Sequence, residues 1–142
     1  MKAMLLRGPN LPFELVNLPD PVPGPGEAVA RVITCGSGLT IQHVKAGRRA
    51  IPFPRVIGHE ITAEIVAVGA GVTGLKIGDP VTAYFYLNCG HCRWCRRGEF
   101  FACEVELLIT GISFDGGYAE YMVVPSIAVA AVPDGVRPGR GA

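Results

Sequence analysis

Four cysteines fall within fifteen residues, as Cys89-x2-Cys92-x2-Cys95-x7-Cys103, while the fifth, Cys35, stands alone. Vicinal Cys-x2-Cys pairs seldom meet the geometry of a structural disulfide, so crowding of this kind points to a metal. Four thiolates match the closed tetrahedral shell of a structural zinc ion. Three ligands at three-residue intervals wrap the chain round the ion, and the fourth returns to close the cage. Gly90 and Gly98 supply the backbone freedom for those bends. Four thiolates on one zinc leave a net negative charge, which Arg93, Arg96 and Arg97 are placed to offset. His91 is expected at the surface, because the shell is already full. A reduced, metal-free loop and an iron–sulfur centre are the other readings of the same spacing. The three arginines also raise a nucleic-acid reading, but no recognition helix follows them and the net charge is only +1.

The rest of the chain must build a frame for that lobe. Its 142 residues are one domain's length, with enough apolar content for a core. The near-neutral charge points to neither nucleic acid nor a membrane surface. No run of apolar residues is long enough to span a bilayer or to serve as a secretion signal, so a soluble cytoplasmic protein is expected. Gly and Pro, 19 and 12 residues, are spread along the chain, as suits short strands joined by tight turns.

Residues 1–17 read as two strands around a turn at Gly8-Pro9-Asn10. Leu18 to Gly26 is a proline-stiffened connector. Strands are expected over Glu27–Ile33, Ile61–Val68, Val81–Leu87, Tyr118–Val124 and Ala128–Val132, with a short helix over Thr40–Lys45 closed by Ala46-Gly47. No long amphipathic helix and no Gly-x-Gly-x-x-Gly after a strand is expected, so a dinucleotide-binding unit is not expected in these residues. The fold class is mainly β, a barrel or sandwich.

These residues together resemble the zinc-containing medium-chain alcohol dehydrogenases over nearly the whole chain. Pro21-x-Pro23-Gly24-Pro25-Gly26-Glu27 looks like the loop on which the family's domain opens. Gly58-His59-Glu60, the strand to Val68-Gly69 and then Gly78-Asp79 look like its most distinctive stretch. The cysteine lobe has the family's spacing. Asp115-Gly116-Gly117-Tyr118-Ala119-Glu120-Tyr121 and Val132-Pro133-Asp134-Gly135 resemble its last landmarks. The resemblance implies a GroES-like domain over residues 1–142: an irregular, partly open β-barrel with a protruding structural-zinc lobe at about residues 88–104. A Rossmann domain, and with it NAD or NADP, is expected outside this chain, which alone should be inactive. The implied substrate is a small alcohol or carbonyl compound. A barrel without its partner domain should expose apolar surface, so a homo-oligomer is expected.

In the family a second zinc binds the substrate oxygen as a Lewis acid, which needs three protein ligands and one open position. By resemblance His59 matches the histidine ligand, Glu60 an occasional ligand or its partner, and Thr40 the hydroxyl that passes on a proton. His43 matches a relay position in some relatives. The ligand cysteine is expected at Gly38 and an acidic residue at Ile41, so this chain departs from the pattern and should hold no well-occupied catalytic zinc. Each residue also has a plain structural reading. His59 is a hydrogen-bonded histidine under a strand, Thr40 a turn cap, His43 a surface side chain, and Cys35 a small buried thiol unless a loop shift recruits it as a ligand. Two further functions remain open: a non-enzymatic zinc-binding association module, and a zinc-independent carbonyl reductase domain.

Overall fold

The computed structural model describes residues 1–105 and 108–137, so the expected domain span to residue 142 runs past the residues described. β1 (Lys2–Leu6) and β2 (Phe13–Asn17) form the first hairpin, and β1 also pairs with the two-residue β4 (Arg55–Val56). A second sheet of five antiparallel strands has the order β10-β6-β5-β3-β9, from β3 (Glu27–Cys35), β5 (Ile61–Val68), β6 (Pro80–Ala83), β9 (Tyr121–Pro125) and β10 (Val129–Ala131). β7 (Tyr86–Leu87) and β8 (Leu108–Ile109) make a small third sheet at the base of the cysteine lobe. α1 (Leu39–Lys45) crosses between β3 and β4.

β3 and β5 carry the runs of Ala, Val and Ile that their two-sided burial requires. Ala28, Ala30, Ile61, Ala63, Ile65, Val81, Met122 and Val124 pack as one core. Two register shifts along the β3–β5 pair, at Val29/Ala30 and Val32/Thr34, mark bulges that bend the sheet. The curvature gives a partly open barrel with β9 and β10 as the outer strands of the main sheet. A second core lies beneath α1, where Leu6, Ile41, Val44 and Ile57 meet. Ile41, expected from resemblance to stand where the family has an acid, therefore serves packing.

Three local expectations need correction. The strand expected over Val81–Leu87 is broken into β6 and β7, because Tyr84 and Phe85 leave the sheet to stack with each other at 5.4 Å between centroids. The strand expected from Tyr118 begins only at Tyr121. Residues 118–120 bond to β1 through Met4 N–H to Tyr118 O at 2.7 Å and Glu120 N–H to Lys2 O at 3.0 Å, while Glu120 O accepts from Val32 N–H of β3 at 2.9 Å, and so tie the two larger sheets together. Finally, Gly69-Ala70-Gly71-Val72-Thr73-Gly74 does spell the dinucleotide-type glycine pattern directly after β5. It leads through turns to β6 and not into a helix. Without a helix N-terminus to meet a pyrophosphate, the pattern carries no cofactor.

Candidate functional site

The cysteine lobe is built from tight turns, with little core of its own. Gly90 and Gly98 take the left-handed conformation, at φ 73° and 78°, as their positions in the knuckle anticipate. Short 3-10 turns at Cys95–Arg97 and Phe100–Ala102 carry the chain round. The sulfurs of Cys89, Cys92, Cys95 and Cys103 all lie within 4.8 Å of one another. Cys89 Sγ and Cys95 Sγ are 3.8 Å apart. A tetrahedron with metal–sulfur bonds of about 2.3 Å has edges of about 3.8 Å, so the spacing fits a zinc ion.

Backbone amides turn inward on the same sulfurs. Cys92 N–H donates to Cys89 Sγ at 3.3 Å, and Cys95 N–H to Cys92 Sγ at 3.4 Å. The Cys95 amide, with that of Glu104, holds the Cys92 thiol down to about 6. The Cys89 backbone amide, first among several causes, lowers Cys103 as well. Burial pushes Cys95 the other way, up to about 12. A donor set of mixed ionisation, with amides aimed at the sulfurs, favours thiolate ligation of a cation. His91 is exposed, its Nδ1 2.7 Å from Cys89 O, as expected of a residue outside the shell. Of the three arginines, Arg93 is paired with Glu104 at 2.7 Å and lies over the Trp94 ring at 4.8 Å.

The second group of interest sits at the start of β5. His59 and Glu60 end the connector from β4, and Cys35 closes β3 directly opposite, paired with Ile61. The His59 ring is half-buried and stands 5.7 Å from the Phe85 ring. Its Nδ1 is buried with no hydrogen-bond partner, contrary to the hydrogen-bonded histidine expected on structural grounds. Burial lowers the imidazole pKa below its usual value, the Glu60 charge opposes that, and Arg49 adds to it. His59 is therefore a neutral base at neutral pH with an unused ring nitrogen, which suits a metal donor.

The Cys35 sulfur lies against Gly58 and Gly117 and packs on the core, and among the described residues it does not gather with His59 and Glu60 into a set of three metal donors. A Cβ placed on Gly58, the residue before His59, would lie 2.6 Å from its sulfur, and one on Gly117 would lie 3.1 Å away. Burial pushes its thiol up to about 12, the Glu60 backbone amide pulls it down, and the Glu60 charge raises it again. Gly38 is the N-cap of α1, and Thr40 is half-buried in the first helical turn, so Gly38 and not Thr40 occupies the cap. His43 is half-buried, not a surface side chain, and its carbonyl accepts from Arg48 N–H at 2.8 Å and Arg49 N–H at 3.2 Å. Phe85 was hidden from sequence reasoning inside an expected strand; its only signal was the run Tyr84-Phe85-Tyr86. A cavity of about 660 Å³ lies elsewhere, lined by Leu87, Phe114, Tyr121, Met122 and Pro125 among others, and takes in neither His59 nor Glu60.

The pattern of the alcohol dehydrogenase GroES-like domain matches residues 24–134. The chain is 38% identical over 97% of its length to L-threonine 3-dehydrogenase of Pyrococcus abyssi, and spans 40% of that relative. Among solved structures, AibC superposes with a TM-score of 0.93 at 31% identity, over 99% of this chain and 40% of that one. A thermostable alcohol dehydrogenase from Pyrobaculum aerophilum, solved with cobalt and zinc, superposes at 0.84 with 41% identity, over 92% of this chain and 41% of that one. No described helix is long and apolar enough to cross a membrane. The bulged five-stranded sheet, the cysteine lobe beside it and the pattern matched over residues 24–134 agree, and the chain belongs to the zinc-containing medium-chain alcohol dehydrogenase family through its GroES-like domain.

Proposed function

We propose that this chain is the catalytic domain of an NAD(P)-dependent, zinc-type dehydrogenase acting on a small alcohol or carbonyl compound. Its cysteine lobe, residues 88–104, holds a structural zinc on Cys89, Cys92, Cys95 and Cys103. The 3.8 Å separation of two of those sulfurs, the edge of a zinc–thiolate tetrahedron, carries that assignment.

The substrate side is formed by His59, Glu60 and Thr40, with no side chain at Gly38 where the family has a cysteine. The unpartnered Nδ1 of His59 supports a metal there. A divalent metal so bound supplies Lewis acidity toward a substrate oxygen. The chain's own residues do the rest. His59 stays neutral because burial disfavours its charge. Phe85 screens one side of the ring from water. Thr40, in the first turn of α1, offers a hydroxyl for proton passage. The dinucleotide belongs to a nucleotide-binding domain outside these residues.

The protein is proposed to be cytoplasmic and to self-associate, without nucleic-acid or membrane partners. Exposed Leu15 (67%), Ile127 (72%) and Phe101 (83%) support association, which sedimentation would test through a clean monomer at high concentration. Metal content per chain, by mass spectrometry on protein purified without added zinc, tests the main reading. One zinc that is lost in Cys92→Ser or Cys103→Ser supports the lobe site. An intact, folded chain free of zinc would refute it.

A further inference from the structure

Residues 46–50 form a short loop that leaves the end of α1, and both of its ends are pinned. His43 O, in the last turn of the helix, accepts from Arg48 N–H at 2.8 Å and from Arg49 N–H at 3.2 Å. Gly47, at φ 70°, makes the turn, and a Cβ added there would stand 3.1 Å from Pro9 Cβ, so the loop lies on the first hairpin turn. Asn10 N–H, donating to Lys45 O at 2.6 Å, fastens that contact. Beyond the loop, Ile51 and Phe53 pack on the core beneath α1. Two consecutive arginines are thus presented from a fixed base.

Both side chains are exposed, and among the described residues neither joins an ion pair. They differ in where their charge falls. That of Arg49 acts on the His59 imidazole, as does the opposite charge of Glu60. Glu60 lies against the start of α1, where a Cβ on Gly38 would come 3.2 Å from its Cδ, whereas Arg49 follows the end of the helix. The seven residues of α1 span about 10 Å. The cation and the carboxylate therefore approach the imidazole from opposite ends of the helix and do not neutralise one another. Phe85 stands by the same ring, 5.7 Å away. A permanently charged, forked guanidinium with no partner, on a rigid loop beside the substrate side, is a receptor for a planar or tetrahedral anion.

We propose that Arg49 is a specificity-determining residue, whose guanidinium receives a carboxylate or phosphate group carried by the same molecule whose alcohol or carbonyl reacts beside His59. The inference rests on the reading of His59, Glu60 and Thr40 as the substrate side. It favours hydroxy acids and phosphorylated alcohols over neutral alcohols, and disfavours amino alcohols of positive charge. The phosphates of the dinucleotide are the other anions in such an enzyme, and the test separates the two.

A first measurement needs no turnover. Inorganic phosphate and, separately, acetate are titrated into the chain at constant ionic strength, and the arginine Nε–H and backbone amide signals are followed by NMR. Arg49 and the amides of His59 and Glu60 should shift saturably; Arg49→Gln should abolish those shifts and Arg48→Gln should not. Equal, unsaturable shifts at every exposed arginine would overturn the proposal. A second measures kcat/KM of the complete dehydrogenase, nucleotide-binding domain included, on matched neutral, carboxylate-bearing and phosphate-bearing alcohols. Arg49→Gln should lower the anionic-to-neutral ratio by about 10- to 100-fold, the range for a hydrogen bond to a charged group. The anion whose ratio falls further is the one recognised, and Arg49→Glu should turn the preference toward amino alcohols. If Arg49→Gln slows all the alcohols alike, or raises only the KM of the dinucleotide, the assignment to Arg49 is wrong while the dehydrogenase reading stands. If the complete protein oxidises none of them, the reading of the site falls and the specificity role with it.

Discussion

Ile61 links the core to the candidate site: it follows Glu60, pairs with Cys35 on one side and Ala83 on the other, and is 1% exposed. A Cβ on Gly117 would lie 2.6 Å from Ile61 Cγ1 and 2.8 Å from Cδ1, so the side chain is cupped by backbone on that side. Ile→Ala substitutions cost about 2 to 5 kcal/mol, and the cost rises as the surroundings fail to close on the cavity. Backbone bonded across Gly117 N–H to Gly58 O cannot close far, which places Ile61→Ala near the middle, at about 3 to 4 kcal/mol. For a 142-residue chain each kcal/mol lowers Tm by about 3 to 4 °C, so the variant should melt about 10 °C below the parent. Ile61→Val, which deletes one methyl, should cost about 1 kcal/mol. Calorimetry on both, with zinc content checked in parallel, is the assay. A loss under about 3 °C for Ile61→Ala, or equal losses for the two variants, would refute the claim that Ile61 is enclosed.

Replacing any one of Cys89, Cys92, Cys95 or Cys103 by serine should lower zinc by one per chain while leaving far-ultraviolet circular dichroism of the sheets in place; loss of the β signal would show the lobe and the sheets to be one cooperative unit. In metal-free protein at pH 8, iodoacetamide should label Cys92, held near 6, well before Cys35, held near 12. The thiolate is the reacting form, so labelling of Cys35 should accelerate as pH rises toward 12, and peptide mapping after timed quenching checks the order. Asp115 Oδ1 accepts from Val56 N–H at 3.0 Å and from Arg55 at 3.3 Å, anchoring the short strand β4. Asp115→Ala should cost about 1 kcal/mol in urea unfolding, and Asp115→Asn, which keeps an acceptor, less.

Periodicity and turn residues made most of the frame readable. Ile61–Val68 is recovered residue for residue because its β-branched residues, with Ile61, Thr62, Ala63 and Ile65 buried, favour a strand and glycines bound its end. The helix beginning near Thr40 is right in kind, its start shifted one residue by the glycine cap. The failures share a cause: the chain changes partners. Tyr118–Glu120 read as the front of a strand, yet they divide their hydrogen bonds among β1, Ile57 and Val32 of β3, beside the Gly116-Gly117 backbone lying on Gly58. The cysteine spacing was sufficient for the lobe, since a single short segment, Cys89 to Cys103, contains all four sulfurs. The substrate side was not, because Cys35, Gly38 and Glu60 meet only through the β3–β5 register. A linear motif assigns the ligand to a place in the string; the sheet brings Cys35 opposite Ile61 and puts Glu60 into the gap at Gly38.

Trp94, with the guanidinium groups of Arg93 and Arg97 at 4.8 and 5.9 Å from its ring, is the only tryptophan in the sequence. Intrinsic fluorescence of this protein therefore watches the cysteine lobe and little else. An emission-monitored denaturation curve will follow cage opening and metal release, while the barrel can remain folded unseen. Screens that rank conditions or variants by tryptophan emission will thus sort them by zinc retention, and a separate probe of the sheets is needed before such a midpoint is taken for the stability of the domain.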